Sequence, residues 1–172
     1  VKLHIGCGRS PKEGWLNCDV SAFPGVELVC SAVSIPLPDL SVSEILSEHM
    51  IEHLTYYEFN RFMGECKRLL RCEGKLTLEC PDLEAVCDLF VTANDFQRYQ
   101  TSYGYWPVIC QIYGHQRGNS EAEILGQVHK SGYTEGYLRF VLEGWGFTDI
   151  EREASVGTAP GAPGLRLTAR LP

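Results

Sequence analysis

Val1-Lys2-Leu3-His4-Ile5-Gly6-Cys7-Gly8-Arg9 opens the chain, and Trp15-Leu16-Asn17-Cys18-Asp19-Val20 completes the pattern that it begins. Val1 to Ile5 reads as a short apolar strand, Gly6-Cys7-Gly8 as a turn, and the second segment as a strand with an acid near its end. Two glycines let the backbone pass close beside a ligand, where any side chain would obstruct it. An acid on the neighbouring strand can accept hydrogen bonds from ribose hydroxyls. Gly6, Cys7, Gly8 and Asp19 are therefore candidates for one half of an adenosine site.

The dinucleotide fingerprint needs a third glycine, three residues after the second, to open a helix that holds a pyrophosphate. Pro11 stands there, and Gly8 to Asp19 is too short for a full crossover helix. S-adenosylmethionine carries no phosphate and suits this turn better.

The rest of the chain is read outward from that turn. Val26 to Cys30 reads as a third strand and Glu44 to Ser47 as the lead into a fourth. Thr55-x-x-Glu58 is a capping box. The helix it opens carries Phe59, Phe62, Met63, Cys66, Leu69 and Leu70 on one stripe. Glu73-Gly74 reads as its stop, with Lys75 to Cys80 as a fifth strand. Thr134 caps a last helix with Leu138, Val141 and Leu142 inward and Gly146 at its end. Asp149 to Val156 and Leu165 to Leu171 read as two closing strands. Alternating strands and helices predict an α/β fold with a mostly parallel sheet and a C-terminal antiparallel hairpin.

At 172 residues the chain reads as one domain, spanning 1–172. The formal charge of −7 and the lack of a basic stripe disfavour nucleic acid as a partner. Eight cysteines occur without any C-x-x-C, which predicts free and mostly buried thiols in a reducing compartment. No signal-peptide pattern and no run of eighteen apolar residues is present, so a soluble, cytoplasmic protein with no membrane contact is expected. The oligomeric state is not encoded in any recognisable pattern. The aromatic-rich stretch within about 94–128, with Tyr99, Tyr103, Tyr105, Trp106 and Tyr113, is a candidate lid over a substrate.

Six motifs together resemble the class I S-adenosylmethionine-dependent methyltransferases. They are His4-Ile5-Gly6-Cys7-Gly8, Gly14-Trp15-Leu16-Asn17-Cys18-Asp19, Pro36-Leu37-Pro38-Asp39, Ser47-Glu48-His49-Met50-Ile51-Glu52-His53-Leu54, Pro81-Asp82-Leu83 and His129-Lys130-Ser131-Gly132-Tyr133-Thr134. The match is to a small bacterial branch, type 11-like, in which the first helix is cut to a loop. The resemblance implies a Rossmann-like methyltransferase fold with a seven-stranded sheet and S-adenosylmethionine as cofactor. It adds Ser31 and Ser47 to the cofactor contacts. The class usually has an acid after the third strand to meet the adenine amino group, and this chain has Ser31 there.

His49-x-x-Glu52-His53 resembles the Glu-x-x-Glu-His of two metal-dependent groups, the small-RNA 2′-O-methyltransferases and the ubiquinone-pathway O-methyltransferases. In the former a distant histidine completes the site, within a pattern close to His129–Thr134. The resemblance thus implies His49, Glu52, His53 and His129 as ligands of a divalent transition metal. Three imidazoles and a carboxylate suit Zn²⁺, Fe²⁺, Ni²⁺ or Mn²⁺ better than Mg²⁺. If a helix begins near His49, residues three and four apart share its face and the side chains converge. Without a metal, His49 or His129 could serve as general base, or the cluster could be scaffolding. The expected activity is methyl transfer to a small-molecule acceptor, most naturally a hydroxyl of a sugar or secondary metabolite. Two alternatives stand beside it: a non-catalytic methyltransferase-like binding protein, and an RNA-end 2′-O-methyltransferase. By analogy, members of this branch are often linked with cell-surface glycan synthesis.

Overall fold

The computed structural model describes residues 1–92, 98–101, 104–118, 120–156 and 162–172. Seven strands form one sheet in the order β3-β2-β1-β4-β5-β9-β8. They are β1 (Lys2–Ile5), β2 (Leu16–Asp19), β3 (Leu28–Val29), β4 (Val42–Glu48), β5 (Leu70–Pro81), β8 (Thr148–Glu153) and β9 (Gly164–Leu171). The first five run parallel, and β9 pairs antiparallel with both β5 and β8. This is the mostly parallel sheet with a closing hairpin that the sequence predicts. The first helix is cut to a loop as expected, because residues 6–15 join the parallel neighbours β1 and β2 without a helix.

The register sorts the strand residues onto two unlike faces. Leu3, Ile5, Cys18, Ile45, Leu76, Leu78, Cys80, Leu165, Leu167 and Ala169 lie in a single buried cluster. Against it pack Phe59, Phe62, Met63, Cys66 and Leu69 of α1 (Tyr56–Leu69), with Leu138 and Leu142 of α5 (Glu135–Gly144). The other face carries Lys2, His4, Asn17, Glu44, Glu48, Lys75, Thr77, Glu79, Arg166 and Thr168. They are tied across strands by pairs such as Lys2–Glu44 at 2.7 Å and Arg166–Glu48 at 2.9 Å. Helices α1 and α5 therefore cover the apolar face alone, and the polar face is held by side chains.

Both caps form as read from the sequence. The Thr55 hydroxyl accepts from the Glu58 amide while the Glu58 carboxylate accepts from the Thr55 amide at 2.8 Å, an arrangement worth about 0.5–2 kcal/mol. Thr134 caps α5, and Gly146 closes it at φ +88°. Arg68 of α1 explains Pro36-Leu37-Pro38-Asp39: its guanidinium donates to the carbonyls of Ile35 and Leu37 and to Asp39. That loop is thereby clamped onto α1.

Several boundaries differ from expectation. Helix α1 ends at Leu69, and β5 starts directly at Leu70, so Glu73-Gly74 is a kink inside the strand and not a helix stop. Glu73 has φ +59°, and the pairing jumps from Val42↔Leu70 to Glu44↔Lys75, which is a β-bulge. Strand β3 shrinks to two residues, and β8 ends at Glu153. All eight cysteines are free, yet only Cys7, Cys18, Cys66 and Cys80 are buried. Cys87 is exposed because α2 (Leu83–Thr92) turns Val86 inward instead.

Between α2 and α5 lie a hairpin of β6 (Arg98–Thr101) and β7 (Gly104–Pro107), then α3 (Ile109–Tyr113) and α4 (Glu121–Gly126). Val108 and Ile112 pack on Val86 and Leu89 of α2, which fixes this part of the insert to the domain. Of the proposed lid rings, Tyr113 is exposed, and Tyr103 lies outside the described residues. Among the described residues no helix is long and apolar enough to cross a membrane.

Candidate active site

In an open α/β sheet, ligands bind outside the carboxyl ends of the strands where the order reverses. Here that point lies between β1 and β4. Gly6 and Gly8 follow β1 with φ of +72° and +53°, a region that costs an L-residue roughly 1–2 kcal/mol. The Gly6 and Cys7 amides donate to the Cys18 carbonyl at 2.8 and 3.1 Å, binding the turn to β2. The Gly8 amide donates to Asp19 Oδ2 at 2.8 Å and the Ser21 amide to Oδ1 at 2.9 Å. Asp19 is thus fixed by two backbone donors, and each oxygen keeps a lone pair for a ribose hydroxyl. A methyl group added at Gly8 would meet nothing within 4 Å, so the backbone there is open to a ligand. One added at Gly6 would collide with the Met50 side chain.

The other predicted cofactor residues are placed less uniformly. The Cys7 thiol is buried, and burial raises its pKa, so this residue presents its backbone. Ser31 follows β3 at the surface, and its hydroxyl accepts from the Val33 amide at 3.4 Å. Ser47 is wholly buried in β4, and its hydroxyl has no hydrogen-bond partner among the described residues. His4 is buried on the polar face, 3.3 Å from Asn17 Oδ1.

Past Met50 the chain enters the histidine corner. His49 has φ +50° and a one-turn 3-10 helix covers Ile51–His53. An α-helix from His49 does not form, so His49, Glu52 and His53 do not share a helical face as expected. Instead His49 Nδ1 lies 3.2 Å from Glu52 Oε1, and its Nε2 lies 3.8 Å from Glu79 Oε1. Burial opposes its positive charge, but the hydrogen bond to Glu52 and the charges of Glu79 and Glu48 outweigh it and raise its pKa. The shift favours the protonated imidazolium, which pairs with the surrounding carboxylates.

His129 arrives from a distant part of the chain. The Lys130 and Ser131 amides donate to the Glu52 carbonyl at 2.8 and 3.2 Å, and the Tyr133 hydroxyl donates to the Ile51 carbonyl. These bonds dock His129–Thr134 on the 3-10 turn. His129 Nδ1 then donates to the Gln111 carbonyl at 2.9 Å, and His53 Nδ1 to the Val128 carbonyl at 3.2 Å. A carbonyl only accepts, so each ring carries a proton on Nδ1 and leaves Nε2 as the nitrogen free to face other groups. The rings meet edge to face, with centroids 4.9 Å apart. Burial lowers the pKa of His129 and prevails over the attraction of Glu52. Burial pushes the Glu52 carboxyl up, yet the His49 hydrogen bond and the three nearby imidazoles hold it below the ordinary carboxylate value.

Donor atoms of Glu52, His53 and His129 all lie within 4.8 Å of one another. His49, the fourth residue of the expected ligand set, is outside that group, and its Nδ1 is engaged with Glu52. A narrow pocket bounded by Glu52, Pro81, Gln111, His129, Ser131 and Tyr133 adjoins these donors. Met50, seated on Gly6, connects the corner to the glycine turn. Sequence reading did not find the orienting carbonyls of Gln111 and Val128, which no residue type can signal. It also missed Glu79, which the alternation Lys75-Leu76-Thr77-Leu78-Glu79 could have placed on the polar face.

Comparison with known proteins finds methyltransferases over part of the sequence and over the whole fold. Residues 10–78 match a family described as a methyltransferase domain. A Mycobacterium tuberculosis protein named as a probable S-adenosylmethionine-dependent methyltransferase is 38% identical over 63 residues, which cover 36% of this chain. That match spans only 22% of the relative's length. An S-adenosylmethionine-dependent methyltransferase structure from Archaeoglobus fulgidus superimposes with TM-score 0.63 at 16% identity, covering 98% of this chain and 85% of that one. The 1,6-didemethyltoxoflavin-N1-methyltransferase of Burkholderia thailandensis, solved with bound 1,6-didemethyltoxoflavin and S-adenosylhomocysteine, gives a TM-score of 0.61 at 16% identity, covering 99% of this chain and 70% of that one. The fold is that of the class I S-adenosylmethionine-dependent methyltransferases, the class that the six sequence motifs resemble.

Proposed function

We propose that the chain binds S-adenosylmethionine at the Gly6–Gly8 turn and transfers its methyl group to a hydroxyl of a small acceptor. The single observation carrying this reading is the Gly8–Asp19 bond at the strand-order switch, which fixes an acid beside an unobstructed backbone. The matched methyltransferase family and the cofactor product held by the toxoflavin-pathway neighbour support the same cofactor. In this reading the acceptor hydroxyl lies at the Glu52–His53–His129 corner, where His129 Nε2 can draw off its proton. The oxygen attacks the sulfonium methyl in line and a C–O bond forms. The C–S bond breaks, leaving S-adenosylhomocysteine and a methyl ether. Positioning the two reactants supplies much of the rate, and proton removal contributes about 10²–10⁴-fold. A small sugar or secondary metabolite suits the acidic chain. Incubation with methyl-labelled cofactor and a panel of hydroxylated metabolites tests the assignment. Label appearing as a methyl ether supports it, whereas label found only on nitrogen or sulfur acceptors rejects the hydroxyl assignment.

A further inference from the structure

We propose that Glu52, His53 and His129 form a binding site for one divalent first-row transition ion, with His49 holding the site but not joining it. Four observations converge. The three donors lie within 4.8 Å of one another. Both imidazoles spend Nδ1 on a backbone carbonyl, the arrangement by which proteins fix a ligating histidine and aim its Nε2. Glu52 is only 2% exposed, and its Oε2 has no hydrogen-bond partner among the described residues. A buried carboxylate oxygen without a donor is costly unless a cation or a proton reaches it. Finally, the adjoining pocket, lined by Glu52 and His129, has room for about one water beside these donors.

Ligands about 2.0–2.2 Å from a zinc-like ion stand roughly 3–4 Å apart, so donors within 4.8 Å of one another need to close by about 1–2 Å at most. Two imidazoles and one carboxylate with open positions suit Zn²⁺, Fe²⁺ or Mn²⁺, and disfavour Mg²⁺ and Ca²⁺, which demand mainly oxygen donors. His49 acts one step back. By donating to Glu52 Oε1 it leaves Oε2 as the oxygen turned to the ion, and Glu79 anchors His49 from behind. The function of the ion rests on the methyl-transfer reading: with both Nε2 atoms engaged as ligands, the ion would replace the imidazoles as the means of activating the hydroxyl, making it more acidic and orienting it toward the methyl group. The site itself stands without that reading.

The test uses chelator-treated, whole protein without cofactor, titrated with Zn²⁺ by calorimetry and with Co²⁺ followed by visible absorption. One ion per chain is expected, with Co²⁺ bands typical of mixed nitrogen and oxygen ligation. His53→Ala, His129→Ala and Glu52→Gln should each weaken binding by at least tenfold. His49→Gln should keep the stoichiometry and the Co²⁺ spectrum, with a smaller loss of affinity. Circular dichroism checks that each variant folds; if His129→Ala does not, His53→Ala, which keeps the Lys130, Ser131 and Tyr133 bonds to the 3-10 turn, carries the decision. No Zn²⁺ or Co²⁺ bound by the wild-type chain overturns the proposal, as does loss of binding in His49→Gln with retention in His53→Ala. Ion uptake without methyl transfer would refute the proposed function alone, and methyl transfer without ion uptake would refute the metal site alone.

Discussion

The glycine turn and the histidine corner lie on either side of Met50, and they are built in opposite ways. The turn is local: Gly6, Gly8 and Asp19 come from two neighbouring strands joined by a short helix-free loop, and one backbone-to-carboxylate bond sets their relation. The corner is assembled from afar. Glu52 and His53 follow β4, while His129 is brought in by bonds from Lys130 and Ser131 to the Glu52 carbonyl and oriented by Gln111 from the insert. A local site tolerates loss of the rest of the domain's precision, and an assembled site does not. The corner should therefore be the part where small structural changes have large kinetic effects.

The largest effect is expected at the corner. His129→Ala should lower kcat by about 10²–10⁴-fold while leaving the affinity for S-adenosylmethionine near the wild-type value, as seen in steady-state kinetics beside equilibrium binding. A parallel loss of cofactor affinity would show that the two regions are one unit. Next comes Gly6→Ala, which places a side chain at φ +72° against Met50. Strain of roughly 1–2 kcal/mol plus the displaced methionine should lower the thermal midpoint and weaken cofactor binding together. An unchanged midpoint would mean that Met50 moves freely and does not couple the regions.

Tyr133→Phe should have a smaller effect. Its hydroxyl bonds with Ser131 Oγ at 3.0 Å and the Ile51 carbonyl at 3.3 Å, and removal should cost about 0.5–1.5 kcal/mol in denaturant unfolding. The smallest effect concerns His4. Burial lowers its pKa; the Asn17 hydrogen bond, Glu48 and Asp19 pull upward, and Lys12 pulls downward. A base with a lowered folded-state pKa stabilises fully above its unfolded value near 6.5, and that contribution is lost as pH falls below it. The thermal midpoint of the wild type should then drop more than that of His4→Gln between pH 7.5 and 5.5. Parallel curves would remove His4 from the account.

Legibility in the sequence follows the same division. The turn, both helix caps and the seven-strand plan could be read directly because each depends on residues close together in the chain. The boundary between α1 and β5 misleads because Leu69-Leu70 continues the helical stripe and Glu73-Gly74 mimics a helix stop. Only the pairing of β5 with β4 reveals a bulge there. At the corner, the residue types were legible but their partners were not. The spacing of His49, Glu52 and His53 suggests one helical face, whereas His49 adopts φ +50° and turns toward Glu52 and Glu79. Ligand-orienting carbonyls leave no trace in a sequence, since every residue has one.

The central claim is that the β1–β2 turn is a cofactor site, and titration calorimetry of the wild-type chain and Asp19→Ala with S-adenosylmethionine tests it most directly. One cofactor per chain should bind, and the variant should bind about ten- to a hundredfold more weakly, as expected for losing charge-assisted hydrogen bonds worth roughly 1.5–3 kcal/mol. No binding by the wild-type chain would contradict the methyltransferase reading itself, and equal affinity in the variant would contradict the role given to Asp19.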